Sequence, residues 1–392
     1  MATSSYLLLD LLLDIAARTD PVTLVRCAAM CKDMHRGVAD QAFRGRLRLR
    51  HADRFVPSLL RGCLVDWNKE IHLLDTTSPY TTRVLSAAAS FFAPPSSGGE
   101  PSPGLTCKLV ASRDGLLLLR TADPPHGKLC VRSAATGRSQ TLPPEPAFDG
   151  QYVLLVGGDG DGGVVGRPFQ VLKASMEFSN RHPCLQTQTF SSEHGTWGPY
   201  TEIPTPGVHG SWLRHLSKPL VAVDALHWLC LTDAAGYVLK LHVGAGLVTS
   251  TKLPASFGRT VIPHTRAQQI ALAAMSVGGN PVVLVADTRK ISMWTRPERS
   301  ARWRERPQVV IDNEAILEFT QMSGWPGTPR LEWFAEKSGI VLIRSHHCGY
   351  LWLDLQSREI IRWFSVPSDF ENDVNCPYED LSSWFPTFRQ CF

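Results

Sequence analysis

Three stretches of the chain share one design: an apolar strand, a tight turn, a second strand and a closing apolar residue followed by proline. They are Leu129–Pro143 (LCVRSAATGRSQTLP), Leu239–Pro254 (LKLHVGAGLVTSTKLP) and Leu353–Pro367 (LDLQSREIIRWFSVP). Self-similarity at a spacing of tens of residues is typical of repeat architectures, in which one supersecondary unit recurs. The pattern therefore predicts a repeated β unit.

Prolines that close candidate strands extend this pattern along the chain. Successive members of the set lie 49 to 61 residues apart, and the set comprises Pro94, Pro143, Pro204, Pro254, Pro307 and Pro367. One blade of a β-propeller, four strands with their turns, takes roughly 40–55 residues. Residues 62–392 therefore predict an all-β, propeller-like domain of about six blades.

Short apolar runs broken by Gly, Pro, Asp and Ser supply the strands of this domain. The strand candidates are Ile71–Leu74, Leu116–Leu119, Tyr152–Val156, Phe169–Ala174, Leu226–Leu231, Val282–Ala286, Ile340–Arg344 and Tyr350–Leu355. Tryptophans near the strands could fill the wedges between blades, namely Trp228, Trp294, Trp333, Trp352 and Trp363. An irregular β-sandwich, or two smaller β domains, remains the alternative.

The first sixty residues have a helical pattern instead. Apolar residues recur at the i, i+3, i+4 and i+7 spacing of one helical face, at Leu8, Leu11, Leu12 and Ile15. A second helix is predicted over about 21–34, beginning at Pro21 and interrupted at Gly37. Asp40 is predicted to cap a third helix, which runs through Ala42, Phe43, Leu47 and Leu49. The predicted fold class is thus α+β multidomain, with a three-helix module over 1–61 and the β domain over 62–392.

Charge is concentrated in the helical module. Residues 1–61 contain ten Arg or Lys and six Asp, which accounts for the whole net charge of +4. The basic run over 44–54 lacks the interleaved aromatic residues of a nucleic-acid site, so a solvated basic face is favoured and nucleic acid is disfavoured as a partner.

The stretch from Leu8 to Asp33 (LLDLLLDIAARTDPVTLVRCAAMCKD) resembles the F-box of plant F-box proteins, especially those of grasses. Pieces of the β domain, such as those beginning at Ser112, Asp224 and Tyr350, resemble the associated domains that follow plant F-boxes. The two resemblances together span nearly the whole chain.

The resemblance implies a substrate-recognition subunit of a Skp–cullin–F-box type ubiquitin ligase. The helices would bind a Skp-type adaptor, and through it a cullin, while the β domain would bind an unknown protein target. The adaptor-facing positions implied are Leu8, Leu11, Leu12, Ile15, Leu24 and Val25, some of which must instead hold the helices together. The sequence names no target-binding residue.

An interaction scaffold no longer coupled to the ligase remains an alternative. It is favoured by Leu8, which stands where the family has a proline, and by Met34, which stands where a tryptophan is common. A propeller enzyme is a further alternative, and it would show converging carboxylates or a metal in the central channel.

Catalytic and metal-binding motifs are not indicated by the sequence. The GDGDGG run over 158–163 matches a dinucleotide-binding pattern, but a loop and a strand follow it where a helix is required, and position 170 lacks the Glu of a calcium loop. The set Cys27, Cys31 and His35, and the run 346–348, lack the four converging ligands of a metal site. We expect a non-catalytic protein without a cofactor or metal.

The compartment follows from cysteine usage and hydropathy. The ten cysteines are scattered without the spacing of a disulfide framework, and the chain has no Asn-x-Ser/Thr acceptor. No stretch contains the roughly 20 apolar residues of a membrane span. We therefore expect no membrane partner and a cytoplasmic or nuclear location.

Overall fold

A computed structural model describes residues 3–16, 21–40, 43, 55–67, 70–75, 83–86, 107–121, 127–134, 137–157, 164–178, 183–222, 225–261, 266–297, 300, 302–321, 327–345, 349–364 and 374–379. Within these ranges no helix is both long and apolar enough to cross a membrane.

Six antiparallel sheets, which we call blades 1–6, follow one another along the chain. Blade 1 contains β1 (Leu60–Trp67), β2 (Glu70–Asp75) and β3 (Arg83–Ser86). Blade 2 contains β4 (Cys107–Arg113), β5 (Leu116–Thr121), β6 (Leu129–Ser133) and β7 (Ser139–Thr141). Blade 3 contains β8 (Gln151–Val156), β9 (Phe169–Glu177), β10 (Cys184–Ser191), β11 (Thr196–Trp197) and β12 (Thr201–Pro204).

Blades 4–6 continue the same design. Blade 4 contains β13 (Leu213–Leu216), β14 (Leu220–Val221), β15 (Ala225–Thr232), β16 (Gly236–His242) and β17 (Leu247–Lys252). Blade 5 contains β18 (Ile270–Ala274), β19 (Pro281–Ala286), β20 (Lys290–Trp294) and β21 (Gln308–Asp312). Blade 6 contains β22 (Arg330–Ala335), β23 (Ile340–Ser345), β24 (Gly349–Asp354) and β25 (Glu359–Phe364). The last strand, β26 (Val374–Glu379), joins blade 1.

The ring is closed by β26, which pairs antiparallel with β1 in the first blade. In this register Leu60 lies opposite Glu379, so residues from both ends of the β domain share one sheet. Such closure satisfies strand edges that an open array of blades would leave unpaired. The prediction of about six propeller blades is confirmed.

All eight strand candidates lie in strands, apart from Leu355, which directly follows β24. The three repeated stretches that suggested the fold are the third and fourth strands of blades 2, 4 and 6. Pro94 lies outside the described residues. The first strand begins at Leu60, close to the predicted start of the β domain at 62.

Each blade buries apolar residues on both faces. All eight residues of β15 are buried, as are all six of β19, because central strands of a blade have a neighbouring blade on either side. Five apolar clusters join adjacent blades around the ring, one of them spanning blades 4, 5 and 6. The clusters account for most of the driving force for folding, since apolar burial stabilises by about 25 cal/mol per Å2.

Four of the five tryptophans predicted to fill wedges between blades are buried. Trp228, Trp294, Trp333 and Trp352 belong to the clusters that join adjacent blades. The prediction was wrong for Trp363, which is 42% exposed on the outermost strand of blade 6. Side chains alternate between the two faces of a strand, and in β25 Trp363 shares the exposed face with Glu359 and Ile361, while Ile360 and Phe364 are buried on the other face.

The N-terminal residues form α1 (Thr3–Ala16), α2 (Pro21–Met30) and α3 (Lys32–Ala39). The single helix predicted over 21–34 was wrong, because Cys31 adopts an extended backbone between α2 and α3 and its Sγ accepts the Met34 N–H. Gly37 lies within α3 instead of interrupting a helix.

Asp40 caps the chain after α3 as predicted, since its Oδ1 accepts the Phe43 N–H at 3.2 Å. Of the predicted third helix, Phe43 is described and is helical, and the rest lies outside the described residues. Among the described residues, two further α-helices, α4 (Ala255–Thr260) and α5 (Asn313–Thr320), follow β17 and β21.

The segment leading into β1 is fastened to blade 6. The Val56 N–H donates to the Lys337 carbonyl at 2.8 Å, and Phe55 packs edge-on against Phe334 with ring centroids 5.9 Å apart. Gly339 makes this approach possible: its φ is +72°, and a Cβ atom there would lie 2.4 Å from the Phe55 ring.

We expect Gly339→Ala to lower the free energy of unfolding by about 3 kcal/mol, from left-handed backbone strain and the clash with Phe55. Urea unfolding of the full chain measures the change. Gly244→Ala is the matched control, because a Cβ there meets nothing within 4 Å. Equal stability of the two variants would contradict the packing described for Gly339.

Candidate functional site

Helix α1 divides its apolar residues between two faces. Leu13 and Ala16 are buried in a cluster with residues of α2 and α3, while Leu11, Leu12 and Ile15 are 59%, 43% and 52% exposed. Three exposed apolar side chains on one helical face form a surface of the kind that partner proteins cover. We call Leu11, Leu12 and Ile15 the α1 face.

The structure separates the predicted adaptor-facing residues into two groups. Leu24 is 1% exposed and belongs to the cluster that holds the three helices together. The side chains of Leu8 and Val25 lie outside the described residues. Met30, at the end of α2, is 79% exposed, although the sequence analysis did not nominate it.

The buried side of the helices is closely packed. A Cβ at Gly37 would lie 2.6 Å from Leu13, so α3 approaches α1 where glycine leaves room. Leu59, just before β1, joins the same apolar cluster, which links the helices to the β domain. The helix that carries the α1 face is therefore held in place by its packing against α2, α3 and Leu59.

A cavity of about 650 Å3 lies at the centre of the ring. It is lined by the innermost strand of each blade. These strands are β26, β4, β8, β13 with β14, β18 and β22. Its middle is apolar, with Leu109, Leu220, Leu272, Leu331 and Phe334 in the wall.

One end of the cavity, which we call the closed end, is crossed by ion pairs. Arg113 Nη1 lies 2.5 Å from Glu336 Oε2, and Lys337 Nζ donates to Asp114 Oδ1. Glu336 also accepts the Val221 N–H at 2.6 Å. The contacts join blades 2, 4 and 6 across the channel.

Glu379, the last residue of β26, completes the closed end. Its carboxylate accepts the Ser338 N–H at 2.7 Å, the Ser338 hydroxyl at 2.6 Å and the Lys337 N–H at 3.1 Å. The closing strand of blade 1 is thereby tied to the first turn of blade 6.

The carboxyl groups of the closed end differ in proton affinity. Burial alone would raise the pKa of Asp114, but Lys337 and Arg113 outweigh it and hold the pKa below its ordinary value. Burial raises the pKa of Glu379, and the nearby Glu336 adds to the rise against the hydrogen bonds from Ser338. Burial opposes the charge of Arg113, but Glu336 and Asp114 hold its pKa above the ordinary value.

The opposite end of the cavity, which we call the open end, has exposed lining residues. Lys108 and Gln268 are exposed there. Lys218, also exposed, lies between β13 and β14, and its Nζ donates to the Glu332 carbonyl at 3.1 Å. Gln151 Nε2 donates to the Leu216 carbonyl at 3.1 Å, which links blades 3 and 4. Burial lowers the pKa of His215 at this end, favouring the neutral imidazole.

A cluster around Glu145 borders the open end. Glu145 Oε2 accepts from Arg120 Nη2 at 2.8 Å and from the Tyr152 hydroxyl, and it lies 3.9 Å from Lys173 Nζ. Lys173 sits over the rings of Phe148 and Tyr152 at 5.3 and 5.2 Å. Burial lowers the pKa of Lys173, with Arg120 acting in the same direction and Glu145 opposing it.

From the sequence, a propeller enzyme is expected to show converging carboxylates. The closed end contains the carboxylates of Asp114, Glu336 and Glu379. Asp114 and Glu336 are each bound to a cation, and Glu379 accepts from backbone and hydroxyl donors. Among the described residues, no group of three His, Cys, Asp or Glu side chains is arranged to hold a metal ion. These contacts fasten blades 1, 2, 4 and 6 to one another.

Comparison with protein families identifies the family of the chain. The profile of one family, described as a domain of unknown function (DUF7595), matches residues 94–383. The chain belongs to the DUF7595 family. The matched region runs from just before blade 2 to the closing strand β26 and so contains nearly the whole ring. No curated protein matches the chain.

Solved structures similar to this DUF7595 chain include other proteins at low identity. The Dos1 propeller is 12% identical with a TM-score of 0.35, over 77% of this chain and 68% of that one. The computationally designed Ika8 protein is 13% identical with a TM-score of 0.30, over 66% and 74%. An oligogalacturonate lyase in complex with manganese is 10% identical with a TM-score of 0.34, over 75% and 70%.

Several motifs considered in the sequence lie outside the described residues of the DUF7595 chain. These are the glycine-rich run 158–163, the basic run 44–54 and the run 346–348. Neither end of the channel was nominated from sequence. The one available signal was that polar residues stand at the boundaries of the first strands, as at Asp114 and Lys337, but turns of any β protein look the same.

We expect Glu336→Gln to lower the free energy of unfolding by about 2 kcal/mol, because it leaves the partly buried Arg113 without its ionic partner. Urea unfolding of Glu336→Gln, Arg113→Gln and the double variant measures the coupling of the pair. The exposed Glu193→Gln is the control. Additive losses in the double variant would show that the ion pair does not hold blades 2 and 6 together.

The raised pKa of Glu379 predicts a pH dependence of stability. The folded chain binds a proton at Glu379 more tightly than the unfolded chain does, so this group stabilises the fold increasingly as pH falls through its raised pKa toward the ordinary glutamate value. Glu379→Gln removes this dependence.

Urea unfolding between pH 8 and pH 5 provides the measurement. The stability of the wild type relative to Glu379→Gln should rise as pH falls, with Glu193→Gln again as the control. A constant difference across this range would contradict the raised pKa.

Proposed function

We propose that this chain is the substrate-recognition subunit of a Skp–cullin–F-box type ubiquitin ligase. The observation that carries the proposal is the α1 face, three apolar side chains exposed on a helix whose other side is packed. A Skp-type adaptor covers this face and links the chain to a cullin. The F-box resemblance of residues 8–33 supports the same assignment.

The β-propeller is the target-binding part in this proposal. A closed ring presents loops from several blades on one surface, which suits recognition of a folded or extended protein. Binding of the adaptor and the target by one chain raises the effective concentration of the target near the conjugating enzyme. The role is therefore positional and non-catalytic, and it places the protein in the cytoplasm or nucleus.

The contacts of the closed end support a non-catalytic role over a propeller enzyme. The carboxylates of the closed end are engaged by Arg113, Lys337 and Ser338, and these contacts join blades. A scaffold uncoupled from the ligase shares the propeller but not adaptor binding, so the α1 face discriminates between the two readings.

We expect the full chain to bind a purified Skp-type adaptor, and Leu11→Asp or Leu12→Asp to weaken binding at least about 30-fold by placing a charge in an apolar contact. Biolayer interferometry measures the affinity. Leu247→Asp is the matched control, since Leu247 is 54% exposed on β17 of the propeller and lies on no helix.

Equal weakening by Leu247→Asp would remove the α1 face from the interface. Failure of the wild-type chain to bind the adaptor, with its propeller folded, would favour the uncoupled scaffold.

A further inference from the structure

The open end of the central channel has the size of a ligand site. The cavity of about 650 Å3 falls within the roughly 300–1,000 Å3 range of small-molecule pockets. Lys108 and Arg113, at opposite ends of the lining part of β4, are separated by roughly 17 Å at about 3.3 Å per residue. The channel can therefore hold an elongated molecule inserted from the open end.

The channel differs in charge between its two ends. At the closed end, the cations Arg113 and Lys337 are held by the carboxylates Glu336 and Asp114. Because these two cations are paired with carboxylates of the protein, they attract an anionic ligand group only weakly.

The open end has an excess of cations among the described residues. Basic residues line it or stand beside the first residues of the inner strands, namely Lys108, Arg120, Arg214, Lys218, Arg266 and Arg330. The acidic residues placed in the same way are Glu145, Asp149 and Glu332. Lys108 has no carboxylate partner in the described part of the chain, and Lys218 donates only to a backbone carbonyl there.

Polar atoms in the channel wall also await partners. Gln151 Oε1 and Arg120 Nε are buried and make no hydrogen bond in the described structure. A buried polar atom without a partner costs about 1–3 kcal/mol, so native proteins rarely keep several in one place without a use. A ligand with oxygen acceptors and donors would supply their partners.

We propose that the open end binds a small amphipathic carboxylate, with its apolar body in the channel and its carboxylate at the rim. The body contacts Leu109, Leu331 and Phe334, and the carboxylate is met by Lys108 and Lys218. Arg120 lies opposite Lys108 in the β4–β5 pair. An apolar wall with a few convergent polar groups at one end is the usual composition of such a pocket. The site does not depend on adaptor binding by the α1 face.

The test uses 8-anilinonaphthalene-1-sulfonate as the probe, because it joins an apolar body to one anionic group. We expect it to bind the full wild-type chain at one site, seen by fluorescence. Lys108→Glu with Lys218→Glu should weaken binding at least tenfold, because both lysines are exposed and their reversal repels the anion. Lys252→Glu, an exposed lysine on β17, is the matched control and should bind as the wild type does.

A competition arm tests the chemistry of the ligand. We expect 4-phenylbutyrate to displace the probe at about one tenth of the concentration that 4-phenylbutyramide requires, and the double lysine variant to abolish this difference. Ala267→Trp, which adds a bulky group at an exposed position of the rim, should block the probe. Circular dichroism and the urea midpoint establish that each variant is folded.

Three results would overturn the proposal. They are the absence of probe binding to the wild type, equal binding by the double lysine variant and Lys252→Glu, or equal displacement by acid and amide. Each is separate from the outcome of the adaptor experiment, which concerns α1 and leaves the channel unchanged.

Discussion

The pairing of β26 with β1 is the constraint on which the rest of the structure depends. Each blade has two apolar faces, and a neighbouring blade must cover each of them. A row of six blades would leave two faces bare, whereas a ring leaves none. The antiparallel ladder between Leu60 and Glu379 completes the ring with backbone hydrogen bonds, which are available to any sequence that brings the two strands together.

The ion pairs of the closed end add specificity to this closure. Arg113 and Glu336 lie 223 residues apart in sequence and belong to blades 2 and 6, so their contact exists only in a closed ring. Partly buried ion pairs contribute little net stability, but they penalise arrangements in which either charge loses its partner. The same contacts cross one end of the channel, and exposed residues such as Lys108 lie at the other end.

The two proposed binding functions belong to different surfaces. The α1 face is proposed to bind the adaptor, and the channel is proposed to bind a small carboxylate. The helices bury Leu13 and Leu24 to hold themselves together and leave Leu11, Leu12 and Ile15 at the surface. The ring offers a cavity and a rim of loops. Gly339 and Phe55 fasten the segment between the two parts to blade 6, so both surfaces belong to one supported body.

The sequence by itself determined the repeated β unit, an approximate number of blades and the apolar character of α1, because these depend on spacings within tens of residues. Tertiary structure alone decided that α2 and α3 part at Cys31, that Leu24 is buried and that Trp363 is exposed. It also decided both ends of the channel. Charges such as Arg113 and Glu336 meet only when six blades close, and no local pattern reports a contact made across a ring.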